Sequence, residues 1–329
     1  MTGAPAAVPA ASGAASASAG PRVLRVGTRG SALAVAQTTM VAERLSELSG
    51  LPYEIVRVTT TGDTSRASLS SLGGTGVFAT ELREALLQGE CDVIVHSLKD
   101  LPTAKAPGLE IGAHPVREDQ RDALCSAGGA GGLGLLALPA GARVGTGSPR
   151  RVAQLRSVRP DLDIRDIRGN IDTRLGFVTS GELDAVVLAV AGLTRLGRTD
   201  AITERIDLER FPGAPGQGCL AVEIREGEVV PGVAELDDPV ARATATAERR
   251  ILARLEAGCA APVGATAEYH QGQWRIWAGV YTLDGRTALT SRREVRVDDG
   301  SVLARIAEDT ADAVTGDLFD QGAAQLIAH

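Results

Sequence analysis

Residues 22–28 read as a first strand, followed by the turn Arg29-Gly30-Ser31. In residues 32–49, Leu33, Ala36, Met40, Leu45 and Leu48 fall on one face at helical spacing. Ser31 suits the N-cap of that helix, and Gly50 with Pro52 stops it. Residues 54–60 read as a second strand. A Ser- and Gly-rich stretch follows, ending in Gly73-Gly74-Thr75-Gly76, and it reads as a lid or a linker. A helix over residues 78–88, closed by Gly89, leads to Val93-Ile94-Val95, a run of the kind buried in parallel sheets.

The same pattern then recurs. Arg143-Val144-Gly145-Thr146-Gly147-Ser148 echoes Arg25-Val26-Gly27-Thr28-Arg29-Gly30-Ser31, and each leads into a helix carrying Val-Ala-Gln. Gly181-Glu182-Leu183-Asp184-Ala185-Val186-Val187 echoes Gly89-Glu90-Cys91-Asp92-Val93-Ile94-Val95, with residues 164–167 matching the second strand. Two α/β units of one plan are therefore expected, and a cleft between such units is a common ligand site. Residues 128–134 read as a surface loop of the second unit. Residues 211–218 form a turn-rich crossover, and residues 219–224 a strand returning to the first unit.

From about residue 239 the period changes. A helix over residues 241–255 precedes three strands, residues 265–270, 274–282 and 287–297. The strands are joined by Gln271-Gly272 and Asp284-Gly285 turns. A last helix covers residues 301–319, so the third unit is α+β, helices on a three-stranded antiparallel sheet. The expected division is a disordered tail over residues 1–21, a first domain over 22–115 with 217–237, a second over 116–216, and a third over 238–329.

Composition narrows the function. The 329 residues carry a net charge of −7, which argues against broad binding to nucleic acid. No apolar run is long enough to span a bilayer, and residues 1–21 lack the pattern of a secretory signal. Cys91, Cys125, Cys219 and Cys259 are widely spaced with no Cys-x-x-Cys pair, so no metal site is expected. Reduced thiols in a cytoplasmic protein are the simplest account.

Three features could carry chemistry. Val95-His96-Ser97-Leu98-Lys99-Asp100-Leu101-Pro102-Thr103 places a carboxylate at the carboxyl end of a strand, where ligands sit in open α/β sheets. Asp100 either does chemistry there or only shapes a turn. Arg29, Arg150, Arg151, Arg168, Arg174 and Arg195 all fall at strand ends or helix starts, which points to an anion site for carboxylate or phosphate. Cations at a helix N-terminus oppose the macrodipole, so Arg150 and Arg151 are costly there unless an anion binds. Cys259, at the end of a helix, is a small buried hydrophobe or else a nucleophile or tether. His96 and His114 lack metal spacing and read as structural.

Taken in order, Val26-Gly27-Thr28-Arg29-Gly30-Ser31-Ala32-Leu33-Ala34, the His96-to-Pro102 run, Gly145-Thr146-Gly147-Ser148-Pro149-Arg150-Arg151, Arg168-Gly169-Asn170-Ile171-Asp172-Thr173-Arg174, Pro215-Gly216-Gln217-Gly218 and Gly258-Cys259 resemble the porphobilinogen deaminase family over residues 22–329. The resemblance implies two periplasmic-binding-protein-like α/β domains with a hinge, plus the small third domain. It implies a dipyrromethane cofactor joined by a thioether to Cys259, and head-to-tail condensation of porphobilinogen with release of ammonia. Asp100 would be catalytic. Lys99, Asp63, Arg150, Arg151, Arg174 and Gly218 would contact the cofactor. Arg29, Ser31, Arg168, Arg195 and Gln217 would contact the substrate. A cytoplasmic monomer is expected, with no nucleic-acid or membrane partner.

One departure from the family pattern is the glycine loop, where Thr75 and Ser71 stand in place of frequent lysines. Two other readings stay open at this stage. A non-catalytic anion-binding module would share the duplicated plan but need neither Asp100 nor Cys259. A cysteine-dependent acyl-transfer enzyme would use Cys259 as a free nucleophile with His270 the only histidine near it.

Overall fold

The computed structural model describes residues 22–59, 79–257 and 261–327. In the first sheet, β1 (Leu24–Thr28) lies between β2 (Tyr53–Arg57) and β3 (Val93–Ser97), all parallel. β4 (Leu109–Ala113) completes the unit at the far edge. In the second sheet, β6 (Arg143–Gly145) lies between β7 (Asp163–Arg165) and β8 (Ala185–Ala189), again parallel. β5 (Asp122–Ser126) runs antiparallel to β8 and carries the short β9 (Glu204–Arg205) on its other side. β10 (Leu220–Arg225) runs antiparallel to both β3 and β4. The strand orders are β2-β1-β3-β10-β4 and β7-β6-β8-β5-β9, one plan used twice.

In each sheet the antiparallel strand beside the third parallel strand is the first one after the chain crosses between units. Gly27 and Gly145 hold equivalent places in the repeat. A Cβ on Gly27 would stand 2.8 Å from Ile94 Cγ2, and one on Gly145 2.5 Å from Leu183 Cδ1, so both strands need glycine for the close packing of the next segment.

The helices follow from local signals where these are strong. α1 (Ala32–Ser49) has the expected bounds: Ser31 Oγ accepts from Ala34 N, and Gly50 takes the left-handed conformation at φ 71°. α2 (Thr80–Leu87) buries Leu82, Ala85 and Leu86. α3 (Pro149–Val158) starts with proline at its first position behind the Ser148 cap, and α4 (Ile171–Thr179) is capped by Asn170. Residues 190–195 depart from expectation: the strand stops at Ala189 and Val190–Arg195 form the short helix α5. Arg195 therefore sits in the last turn of a helix, not at a strand end or helix start as the sequence suggested. Strands β4, β5 and β9, and the four-residue α6 (Val233–Leu236), were not marked by the pattern either.

The third unit has β11 (Val263–His270), β12 (Gln273–Tyr281) and β13 (Ala288–Arg296) in antiparallel order, packed on α7 (Pro239–Arg254) and α8 (Leu303–Asp320), with α9 (Ala323–Ile327) at the end. Its core joins Ile251, Trp274, Ile276, Val280, Val314 and Leu318. Trp274 is fully buried and donates its Nε1 hydrogen to Thr310 Oγ1 at 2.9 Å, so the indole leaves no polar group stranded. The architecture is thus two α/β units and one α+β unit.

The third unit is tied to the crossovers by one carboxylate. Glu248 of α7, with no exposed surface, receives Arg117 through two nitrogens at 2.8 Å, Gly216 N at 2.7 Å and Ala267 N at 2.8 Å. Arg117 also donates to the Gln217 carbonyl at 2.8 and 3.0 Å. First crossover, second crossover, α7 and β11 meet at this ion pair.

Candidate active site

β3 ends in a tight 3-10 turn, Leu98–Asp100. Leu98 anchors that turn in the core, while Lys99 is half-buried and Asp100 is exposed. Asp100 lines a narrow cleft of about 70 Å³ with Arg29, Ser31, Ser97 and His96. Arg29 and Ser31 come from the turn that opens α1, so the end of β3 and the start of α1 face one another across the cleft. Ser31 Oγ also caps α1.

Beside Asp100 lies a buried ion cluster. Arg150 and Arg151, in the first turn of α3, are 4% and 6% exposed. Both close on Asp122, the first residue of β5. Arg150 Nη2 stands 2.9 Å from Asp122 Oδ2, and Arg151 Nη2 and Nε donate to Oδ1 at 2.7 and 3.0 Å. Arg151 Nη1 donates to the Val187 carbonyl, and Arg150 Nη1 to Gln154 Oε1 and the Pro212 carbonyl. Gln217 is also buried. Its Nε2 donates to Asp122 Oδ1 at 2.9 Å, and its Oε1 accepts from Lys99 Nζ at 3.3 Å and Arg151 Nη2 at 3.5 Å.

This corrects one step of the sequence argument. The anion that compensates Arg150 and Arg151 at the helix start is supplied by the protein itself, as Asp122. Even so, Lys99, Arg150 and Arg151 face one buried carboxylate, so the cluster keeps excess positive charge. Burial first, then the neighbouring cations Arg151 and Arg150 against Asp100 and Asp122, set the Lys99 ammonium down to about 8. Burial also pulls Arg150, Arg174 and Arg195 below the usual arginine value, and for Arg174 the nearby Arg151 and Arg168 push the same way. Asp122 is held well below the usual carboxylate range: Arg150 and Arg151 outweigh its burial.

The remaining arginines differ in their settings. Arg174 is half-buried in α4, and its Nε is enclosed without a hydrogen-bond partner. Arg168 is exposed, 3.4 Å from Asp166. Arg195 Nη2 donates to the Gly218 carbonyl at 2.6 Å. Gly218 has φ +84°, and a Cβ there would meet the Glu118 carbonyl at 2.4 Å, so only glycine brings the two crossovers this close. Cys259 and Asp63, and the Thr75 and Ser71 loop positions, lie outside the described residues.

Three features were missed from sequence. Asp122 was findable, as a carboxylate at the head of the apolar run Ala123-Leu124-Cys125 that needs a buried partner. The Arg117–Glu248 pair had no local signal. Nor did the buried contact of Glu223 with Arg83 at 2.7 Å and His96 at 3.1 Å, which gives His96 a partner inside the first sheet. Cys91, Cys125 and Cys219 are buried free thiols, which burial raises to about 11, 12 and 12.

A family model described as "Porphobilinogen deaminase, dipyromethane cofactor binding domain" matches residues 24–230, and "Porphobilinogen deaminase, C-terminal domain" matches residues 242–310. The chain belongs to the porphobilinogen deaminase family. Among its relatives, the porphobilinogen deaminase of Leifsonia xyli subsp. xyli is 56% identical over 92% of this chain and 94% of its own. That of Thermobifida fusca is 50% identical over 92% and 95%. The solved structure of the methionine-binding protein MetQ shares 11% identity at a TM-score of 0.41, covering 65% of this chain and 87% of that one. Likeness at that level carries no argument, and the fold rests on the strand orders above. Family membership decides against both the non-catalytic module and the acyl-transfer enzyme. Among the described residues no helix is long and apolar enough to cross a membrane.

Proposed function

We propose that this chain joins four porphobilinogen molecules head to tail on a covalently held dipyrromethane, releasing ammonia at each step, and frees the linear tetrapyrrole by hydrolysis, with Asp100 as the catalytic group. The observation that carries the assignment of Asp100 is its placement. It is an exposed carboxylate at the end of β3, lining a cleft with Arg29 and Ser31 and adjoining the Lys99–Gln217–Arg151 network. Loss of ammonia from the substrate's aminomethyl group leaves positive charge on a pyrrole. A carboxylate fixed beside it stabilises that charge where walls of protein limit screening by water. The same carboxyl can give a proton to the departing amine and take one from the ring that has just been joined.

The residues fit a polyanionic cofactor. Lys99, Arg150 and Arg151 stand around one internal carboxylate, Arg174 adds its charge near Arg151, and the enclosed Nε of Arg174 awaits an acceptor. When bound, dipyrromethane supplies the pyrrole carbon to which the first unit is joined. Its acetates and propionates would be held by Lys99, Arg150, Arg151 and Arg174, with Gly218 close by, Asp63 contributing and Cys259 as the tether. Arg29, Ser31, Arg168, Arg195 and Gln217 would receive the substrate. The chain divides into three domains, 22–115 with 217–237, 116–216 and 238–329, a division that sheet membership supports, and it works as a cytoplasmic monomer. The test is Asp100→Ala: turnover should fall about a hundredfold or more with the fold and the covalent adduct mass retained, and near-normal tetrapyrrole output would refute the role.

A further inference from the structure

Asp122 touches neither the exposed cleft nor any residue assigned to catalysis by the sequence, yet it is the hub of the ion cluster. It is the first residue of β5, immediately after the first crossover, and Gln217 lies near the end of the second, three residues before β10. It is fully buried. Through Arg150 and Arg151 it fixes the start of α3, and through Gln217 it reaches Lys99, the neighbour of Asp100.

We propose that Asp122 is a positioning residue of the reaction, a fixed internal anion that offsets Arg150 and Arg151 and, through Gln217, holds the Lys99 ammonium beside Asp100, ready to receive a ligand carboxylate. This rests on reading the cleft as the carboxylate-binding site. Asp100 on its own turn and Asp122 on β5 favour the ammonium, whereas Arg150 and Arg151 on α3 oppose it. Of the two carboxylates, Asp100 is exposed and works on the substrate, so Asp122 is the permanent one. Without it, Arg150 and Arg151 would lose the fixed anion that offsets their repulsion of Lys99.

The experiment compares wild-type holoenzyme with Asp122→Asn and Asp122→Glu, measuring KM and kcat for porphobilinogen from pH 6.5 to 9, with thermal stability alongside. In Asp122→Asn the alkaline limb of kcat/KM should move to lower pH, and the ratio of KM at pH 8.5 to KM at pH 6.5 should rise about fivefold. Asp122→Glu keeps the charge and should return the limb toward wild type. The substrate's own amine titrates identically in all three proteins. A merely structural role would lower thermal stability and shift KM equally at both pH values, and matching alkaline profiles in wild type and Asp122→Asn would overturn the proposal. If Asp122→Asn gives no folded protein, Gln217→Met replaces it, breaking the bridge from Asp122 to Lys99: an alkaline limb moved to lower pH supports the proposal, and an unchanged limb overturns it. Wild type lacking tetrapyrrole output would instead sink the functional reading itself, a separate result.

Discussion

At the scale of single residues, the contrast between Asp100 and Asp122 organises the site. Asp100 is exposed, so replacing it should change stability by no more than about 0.5 kcal/mol while turnover collapses. Arg151 is the opposite case. Arg151→Leu removes a partner that donates to Asp122 through two nitrogens and leaves the carboxylate with Arg150 and Gln217. We expect a loss of about 3 kcal/mol in stability together with a raised KM, measured by chemical denaturation and steady-state kinetics. The placement of Asp100 at a strand end was legible in the sequence because a local apolar run and turn set it there. The compensation of Arg150 and Arg151 was not. The motif shows the cations, but their partner comes from a strand 28 or more residues earlier that only the tertiary fold brings alongside.

Among the elements, legibility follows the same line. α1 was readable to the residue because Ser31 and Gly50 are both local signals. α5 has Ala189 at its N-cap position with no side-chain cap, so nothing in the pattern separates it from the preceding strand. β5 gained its place by pairing with β8, 59 to 67 residues away, which no window of sequence shows. Where elements meet, buried titratable groups set the response to acid. His114, after β4, is depressed to about 4, first by burial and then by Arg242, against the pull of Asp237. Glu223 on β10 is held at about 2, its burial outweighed by His96 and Arg83. For His114, the unfolded chain takes up a proton below 6.5 that the folded chain refuses until about pH 4. Stability therefore falls as pH drops through that window, by on the order of 3 kcal/mol. For Glu223 the folded carboxylate stays ionised after the unfolded one is protonated, so its contribution is present above 4.5 and is lost as pH falls toward 2. His114→Asn should flatten the melting temperature between pH 6.5 and 4 and leave the steeper fall below pH 4 in place.

On the scale of the whole molecule, Glu248 gathers four donor groups from both crossovers and β11. Arg117→Leu leaves that carboxylate buried without its guanidinium and should cost about 3–5 kcal/mol, read as an earlier unfolding midpoint in denaturant. Cys259→Ser should remove the covalently added mass in the intact protein while leaving Asp100 in place. A mass still raised by a dipyrromethane would contradict the tether.

The order of the strands also bears on how the chain is made. The strands of the second sheet run consecutively from Asp122 to Arg205, whereas the first sheet is interrupted: Leu220 pairs with Ser97 across 123 positions. On a ribosome the second sheet can therefore close while the first still lacks the strand that joins β3 to β4. The nascent first half waits with two open strand edges until the segment through Arg225 emerges. Its completion is a late event that depends on how quickly translation delivers a single six-residue strand.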